Sequence, residues 1–242
     1  MQKIKLLLLS ITILVHFNAF PESHDNSCYS INDPFENYNR KMFWFNKTLD
    51  KVFIRPVVGI YIKAVPQYGQ DRVHSFFNNL RSPLTFVNNI IQGDGKAASV
   101  TLGRFIVNTF LGVGGILDFA SLFDDMDEKK QTFDDTLSKY DIRYGQYLIL
   151  PLLSPTTTRG AFGKIGDVAL NPINYALHSK ESLYYHLAET LDLRIQYNDL
   201  IKSTEEGSVD HYGKVRSMYI QYISRRDPNC PLNQYVDYSE YD

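Results

Sequence analysis

The side chains most often used for chemistry are scattered along this chain. His74, His178, His186 and His211 fall at no recognised metal-ligand spacing, and neither H-E-x-x-H nor the G-x-S-x-G nucleophile elbow occurs. The run GVGGIL lacks the third glycine of a dinucleotide-binding turn, and DDMDEKKQTFDD lacks the spacing of a calcium loop and fits a solvated acidic loop. A catalytic set assembled from distant residues stays open, because triads are spatial constellations. The stretch AASVTLGRFIVNTFLGVGGILDFASLF, residues 97–123, is the unusual one. Its only charges, Arg104 and Asp118, bracket thirteen residues that include Phe105, Asn108, Gly112, Gly114 and Gly115.

The elements that must position these residues read as helical almost throughout. Asp33-Pro34-Phe35-Glu36 combines a capping carboxylate, proline at the first helical position and glutamate at N3. Behind it Phe35, Tyr38, Met42, Phe45 and Leu49 form an apolar stripe at 3,4 spacing. With Trp44, it reads either as a lipid-facing surface or, more commonly for such a stripe, as core. Ser82-Pro83 and Asn171-Pro172 repeat the cap-then-proline start signal. Val73, Phe76, Phe77 and Leu80 make a further stripe, as do Tyr212, Val215, Tyr219 and Tyr222. Strand-like alternation is scarce, so the expected class is all-α. Residues 97–123 then have three homes: a buried core helix, a spanning helix, or a broken pair of segments dipping into a bilayer. Thirteen residues between charges are too few to cross upright, and Gly103, Gly112, Gly114 and Gly115 weaken one continuous helix. Length and breaks favour the third.

Lys3 and Lys5 precede the apolar run Leu6 to Phe20, which Pro21 ends, the layout of an export signal over residues 1–23. Fifteen helical residues reach roughly 22 Å, short of a hydrocarbon core of about 30 Å. No small-x-small pair closes the run, since Phe17 lies two places before Ala19, so cleavage and an uncleaved anchor both stay open. Residues 24–32 read as a linker, 33–226 as one domain and 227–242 as a tail. In an exported chain Cys28 and Cys230 are compatible with one disulfide, worth roughly 5 kcal/mol in a chain-entropy model, or with two separate thiols. The polar HDNSC around Cys28 does not suit lipid attachment. With 242 residues, 44% of them apolar, there is ample material for a core. A net charge of −2 and a pI near 6.3 provide no basic excess for nucleic acid. Aromatic residues make up 14%, a composition favoured at membrane interfaces as well as in cores.

The segments NDPFENYNRKMFWFNKTLD, NNLRSPLTFVNNIIQGD, GRFIVNTFLGVGGILDFAS and QTFDDTLSKYDIRYGQYLILPLLSPTTTRGAFGKIGD stand in the order and spacing of the MlaA (VacJ) family of Gram-negative outer-membrane proteins. LDLRIQYNDLI and VDHYGKVRSMYIQY are similar to its closing helices. The resemblance covers about Asn32 to Arg226. It implies a single ring-like domain of amphipathic helices embedded in the outer membrane, mainly on its periplasmic face, around an amphipathic central channel. It further implies that phospholipid misplaced in the outer leaflet passes down this channel to a periplasmic lipid-carrier protein, beside a porin trimer, with no covalent chemistry and no cofactor or metal.

Under that resemblance Arg104, Phe105, Asn108, Gly112, Gly114, Gly115 and Asp118 are the lipid-channel candidates. Arg104 either snorkels to a phosphate or pairs internally, and a helix-tying role for Arg104 and Asp118 carries the greater weight. Asp33, Pro34, Asn39, Arg40, Asn79, Pro83, Asn88, Gln92, Gly93, Asp192, Arg194 and Arg216 match family positions as structural residues, the amides as cross-links between helices. Asp192 is considered with Arg194, and Asp210 with Arg216, as charges between helices or at the surface. Three features depart from the family pattern: the usual lipidated cysteine is missing, Asp135 stands at a glycine position, and Gln146 lies in YGQY where GPY is usual. The last two put the loop geometry of residues 131–150 in doubt. Two rivals remain: a porin-bound interaction module that conducts no lipid, and a phospholipase.

Overall fold

In a computed structural model of the chain, residues 33–127 and 129–226 are described. The export signal, the linker, both cysteines and the C-terminal tail lie outside the described residues.

Helix α1 (Glu36–Leu49) runs through a π-helical turn, Asp50–Ile54, into α2 (Arg55–Ala64). A hairpin of α3 (Gln67–Ile91) and α4 (Gly95–Phe110) follows, then a 3-10 turn at Phe119–Leu122 and α5 (Phe133–Lys139). A ribbon of β1 (Tyr147–Ile149) and β2 (Pro155–Thr157) leads to α6 (Thr158–Leu170), α7 (Ile173–Ala176), α8 (Ser179–Gln196), α9 (Asn198–Glu205) and α10 (His211–Arg226). The fold is mostly helical, as expected. The antiparallel ribbon, with Tyr147 opposite Thr157, adds to the all-α expectation, since strands of three residues are too short to display a period of two.

Packing contacts within residues 33–226 close a circuit: α1 to β1, β1 to β2, β2 to α6, α6 to α3, α3 to α8, α8 to α2, and α2 back through the π-turn to α1. A small apolar cluster of Phe43, Tyr147, Ile149, Tyr212 and Ile223 sits where α1, the ribbon and α10 meet, with Phe43 and Tyr212 edge to face at 5.8 Å. Amides complete this junction. The fully buried Asn39 accepts from the Ile149 N–H at 2.9 Å and donates to the Tyr147 carbonyl at 3.1 Å, so its side chain acts as a strand partner for β1. One heptad later Asn46 accepts from the Leu152 N–H and donates to the Leu150 carbonyl.

Two local expectations are corrected. The Asp33 carboxylate does not cap α1; it accepts from Asn39 and from the Tyr212 hydroxyl, and Arg216 lies 3.7 Å away. Those side-chain partners, Tyr212 from the far end of the chain among them, outcompete the local N–H groups, while burial and the Asp33 contact push the Tyr212 phenol well above its usual range. Ser82-Pro83 starts no helix: α3 runs straight through it, with the Ser82 hydroxyl donating to the Asn78 carbonyl beside the hydrogen bond that proline removes. Of the two readings of the α1 stripe, the surface one holds for Phe35, Tyr38 and Phe45, with Trp44 beside them, whereas Met42 packs against the core and Leu49 is half-buried; Phe43, outside the stripe, points into the core. Asn171-Pro172 does begin a helix, the one-turn α7, with Asn171 accepting from the Ile173 N–H.

Candidate functional site

Helices α3 and α4 form an antiparallel hairpin whose turn is set by Gln92-Gly93-Asp94. Gly93 takes a φ of +70°, and Asp94 caps α4 by accepting from the Ala97 N–H at 2.9 Å. Each helix carries a polar stripe on its facing side. On α3 these are Ser75, Asn78, Ser82, Thr85 and Asn89, at spacings of three and four; on α4 they are Thr101, Arg104 and Asn108. Asn89 donates to the Thr101 hydroxyl at 3.0 Å, and further along two polar clefts share Asn78, Ser82 and Arg104. Together they make one groove, with Asp118 and Asn108 in one half and Lys129 and Lys130 in the other.

Arg104 lies at the centre of this groove and is 8% exposed. Its guanidinium donates to both Asp118 carboxylate oxygens, at 2.9 and 3.0 Å, and to the Met126 carbonyl. Asn108 donates to the same carboxylate at 2.8 Å and accepts from the Ala120 N–H at 2.9 Å. A buried cation is tolerated only when paired and hydrogen-bonded, and this one is both. The pair forms because α4 ends at Phe110 and the chain reverses over Gly112 to Gly115, bringing Asp118 back beside the helix it left. Val113, Gly114 and Gly115 have φ of +54°, +74° and +95°, and the Leu117 N–H closes the turn on the Gly112 carbonyl at 2.9 Å. A Cβ on Gly115 would collide with the side chain of Asn79. Asn79 donates to the Thr109 hydroxyl and the Gly114 carbonyl, while its buried Oδ1 has no protein donor and lies in the wall of the groove. Residues 97–123 are thus one helix, a glycine turn and a 3-10 turn, with Gly103 inside the continuous helix. No described helix is long and apolar enough to cross a membrane. Phe105 is half-buried, whereas Leu102, Ile106, Phe110, Leu111, Val113 and Leu122 present apolar surface outward from the same segment.

The remaining positions hold the frame. Asn88 accepts from the Thr136 hydroxyl at 2.9 Å, and Gln92 donates to that hydroxyl at 2.9 Å, fixing α5 against α3. Asp192 pairs with His74 at 2.7 Å rather than with Arg194, which reaches Asp50 at 2.7 Å. Burial alone would raise the Asp50 carboxyl, but Arg194 and Arg55 outweigh it and hold it below the usual range. Asp210 pairs with Arg40 at 2.8 Å rather than with Arg216. In residues 131–150, Asp135 forms a capping box with Thr132 and a salt bridge of 2.6 Å with Arg226 of α10. Ser75, Asn78, Arg81, Thr85, Lys129 and Lys130 were missing from the sequence-derived set; the signal for those on α3 was its polar stripe, opposite the apolar one that the periodicity emphasised.

Polar residues outnumber apolar ones among the buried positions described, and large apolar side chains are exposed on nearly every helix. A water-soluble domain buries the opposite set, so this fold defines a helical protein whose polar interior is framed by an apolar exterior. The model of the MlaA lipoprotein family matches residues 31–226, and the chain belongs to that family. The intermembrane phospholipid transport system lipoprotein MlaA of Shigella flexneri is 34% identical over 192 residues, which are 78% of this chain and 76% of that one. Its Escherichia coli counterpart is 33% identical over the same length. An uncharacterized protein of Rickettsia bellii is 34% identical over 202 residues, 83% of this chain and 79% of its own. A solved structure, from work on the structural basis for maintenance of bacterial outer membrane lipid asymmetry, superposes with a TM-score of 0.69 at 32% identity, covering 82% of this chain and 99% of that one.

Proposed function

We propose that this chain removes misplaced phospholipid from the outer leaflet of the Gram-negative outer membrane and hands it to a periplasmic lipid-carrier protein, working beside a porin trimer as a passive conduit rather than an enzyme. The observation that carries this reading is the polar groove between α3 and α4, set in a fold whose outer side chains are apolar. A phospholipid crossing a bilayer meets its main barrier at the headgroup, because burying a polar or charged group without partners costs several kcal/mol. The groove as it stands is too narrow for a headgroup, so α3 and α4 must part to admit one; its amides, hydroxyls and guanidinium then supply those partners in sequence, while the acyl chains stay against Leu102, Ile106 and Phe110. Arg104 can exchange its partner: a passing phosphate offers Nη2 two oxygens, as the Asp118 carboxylate does. A passive path has no built-in direction, so net flow follows the carrier. The relatives' names, which describe a phospholipid transport system, support the same reading.

The test is outer-leaflet phospholipid in cells lacking the protein, or expressing wild type or Arg104→Ala at matched protein level. Loss of the protein is expected to raise surface phospholipid without raising lyso-lipid, and the variant to restore it only in part. Unchanged surface phospholipid would leave a porin-bound module that conducts nothing, and released lyso-lipid would point to a phospholipase.

A further inference from the structure

Resting on the transport reading above, we infer that Lys129 and Lys130 form an anion subsite at the mouth of the α3–α4 groove, which selects phospholipids whose headgroup carries net negative charge. The half of the groove they edge is lined by cations, hydroxyls and an amide, with no carboxylate in its wall. Its charges differ in kind with depth. Arg104 is buried and neutralised by Asp118; Arg81 is half-buried and neutralised by Glu189 at 2.7 Å. Both lysines are exposed, and among the described residues neither has a carboxylate partner, Asp124, Asp125 and Asp127 of the same loop included. Lys129 and Lys130 are thus the cations at this edge of the groove that no described carboxylate pairs with, and they stand beside the hydroxyls of Ser82 and Thr85.

The inner slot has room for about one water, so a phosphodiester first stands at the mouth, against the lysines. A zwitterionic headgroup brings its own ammonium to the same place and meets like charge; an anionic headgroup does not. Ammonium groups near an anionic lipid contribute about fivefold in affinity each, an effect that salt screens.

Full-length protein is incubated with vesicles of equimolar phosphatidylglycerol and phosphatidylethanolamine, recovered in mild detergent, and its retained lipid identified by mass spectrometry. Wild type is expected to retain phosphatidylglycerol in about 25-fold excess at low salt. The Lys129→Gln/Lys130→Gln variant is expected to fall to near parity with total retained lipid unchanged, and a control in exposed lysines elsewhere, Lys41→Gln/Lys51→Gln, to keep the excess. Parity in wild type, or equal loss in the control, overturns the subsite and leaves transport standing. Displacement by millimolar inorganic phosphate, at ionic strength matched with chloride, as effective as that by phosphatidylglycerol would assign the subsite to free phosphate and overturn the lipid assignment. Retention of neither lipid overturns both readings.

Discussion

At the scale of single residues, the groove depends on one ion pair with unequal burial: Arg104 has a side-chain exposure of 9%, Asp118 one of 31%. Removing the acid strands a buried guanidinium, whereas removing both charges leaves space that apolar side chains can fill. Asp118→Ala is therefore expected to destabilise by about 2–4 kcal/mol, with the lower end favoured because solvent already reaches Asp118. Arg104→Met/Asp118→Leu should recover most of that loss while still impairing transport. Thermal unfolding of wild type, Asp118→Ala and the double variant in one detergent checks it; a double variant as unstable as Asp118→Ala would show that the Met126 and Asn108 contacts, not the charges, hold the segment. Asn39, Asn88 and Asn108 share the logic of a polar interior, since an amide can donate and accept at once and so bridge two elements at a single buried point.

At the scale of elements, the decisive piece is the turn from Gly112 to Gly115. It ends α4 and returns Asp118 to Arg104, and two of its glycines should respond differently to one methyl group. A Cβ on Gly114 meets nothing within 4 Å, so Gly114→Ala bears only the cost of a left-handed backbone, about 1–2 kcal/mol. Gly115→Ala adds the collision with Asn79 and should cost at least 1 kcal/mol more, displacing the turn from α3. Circular dichroism melts of both variants, with surface phospholipid measured in parallel, would separate them; equal effects would mean that Asn79 yields freely. Residues 131–150 illustrate how an element absorbs an unusual residue. Asp135 is both the N3 member of a capping box and the partner of Arg226, so the carboxylate joins α5 to α10.

At the scale of the whole molecule, the distribution of exposed apolar side chains makes the strongest physical demand, because water would have to cover Phe53, Ile60, Phe110 and Leu122 at once. Trp44, the chain's one tryptophan, is 54% exposed on α1 among Phe35, Tyr38 and Phe45. Its fluorescence reports the surroundings of that face without any mutation. Protein reconstituted in bilayers with brominated acyl chains should show blue-shifted emission and at least half of it quenched. Emission at the wavelength of water-exposed indole, unquenched by bromine, would place α1 outside the apolar layer and against a partner or solvent.

The sequence by itself determined most of what is local or compositional. Helical periodicity, the breaks at Gly112 to Gly115, the Asn171-Pro172 start and the family motifs were all legible there, because each depends on neighbours within a turn or two. It could not say which face of a stripe is inward. In a chain surrounded by lipid the apolar face turns outward, so the pattern of Phe35, Tyr38 and Phe45 is the same for core and surface, and only packing decides. Nor could it choose partners for charges: Asp33 left its own helix cap for Tyr212 and Asn39, Asp192 took His74, and Asp210 took Arg40. The partnerships with Tyr212, His74 and Arg40 join residues far apart in sequence, and which carboxylate meets which partner is decided only once the helices have packed.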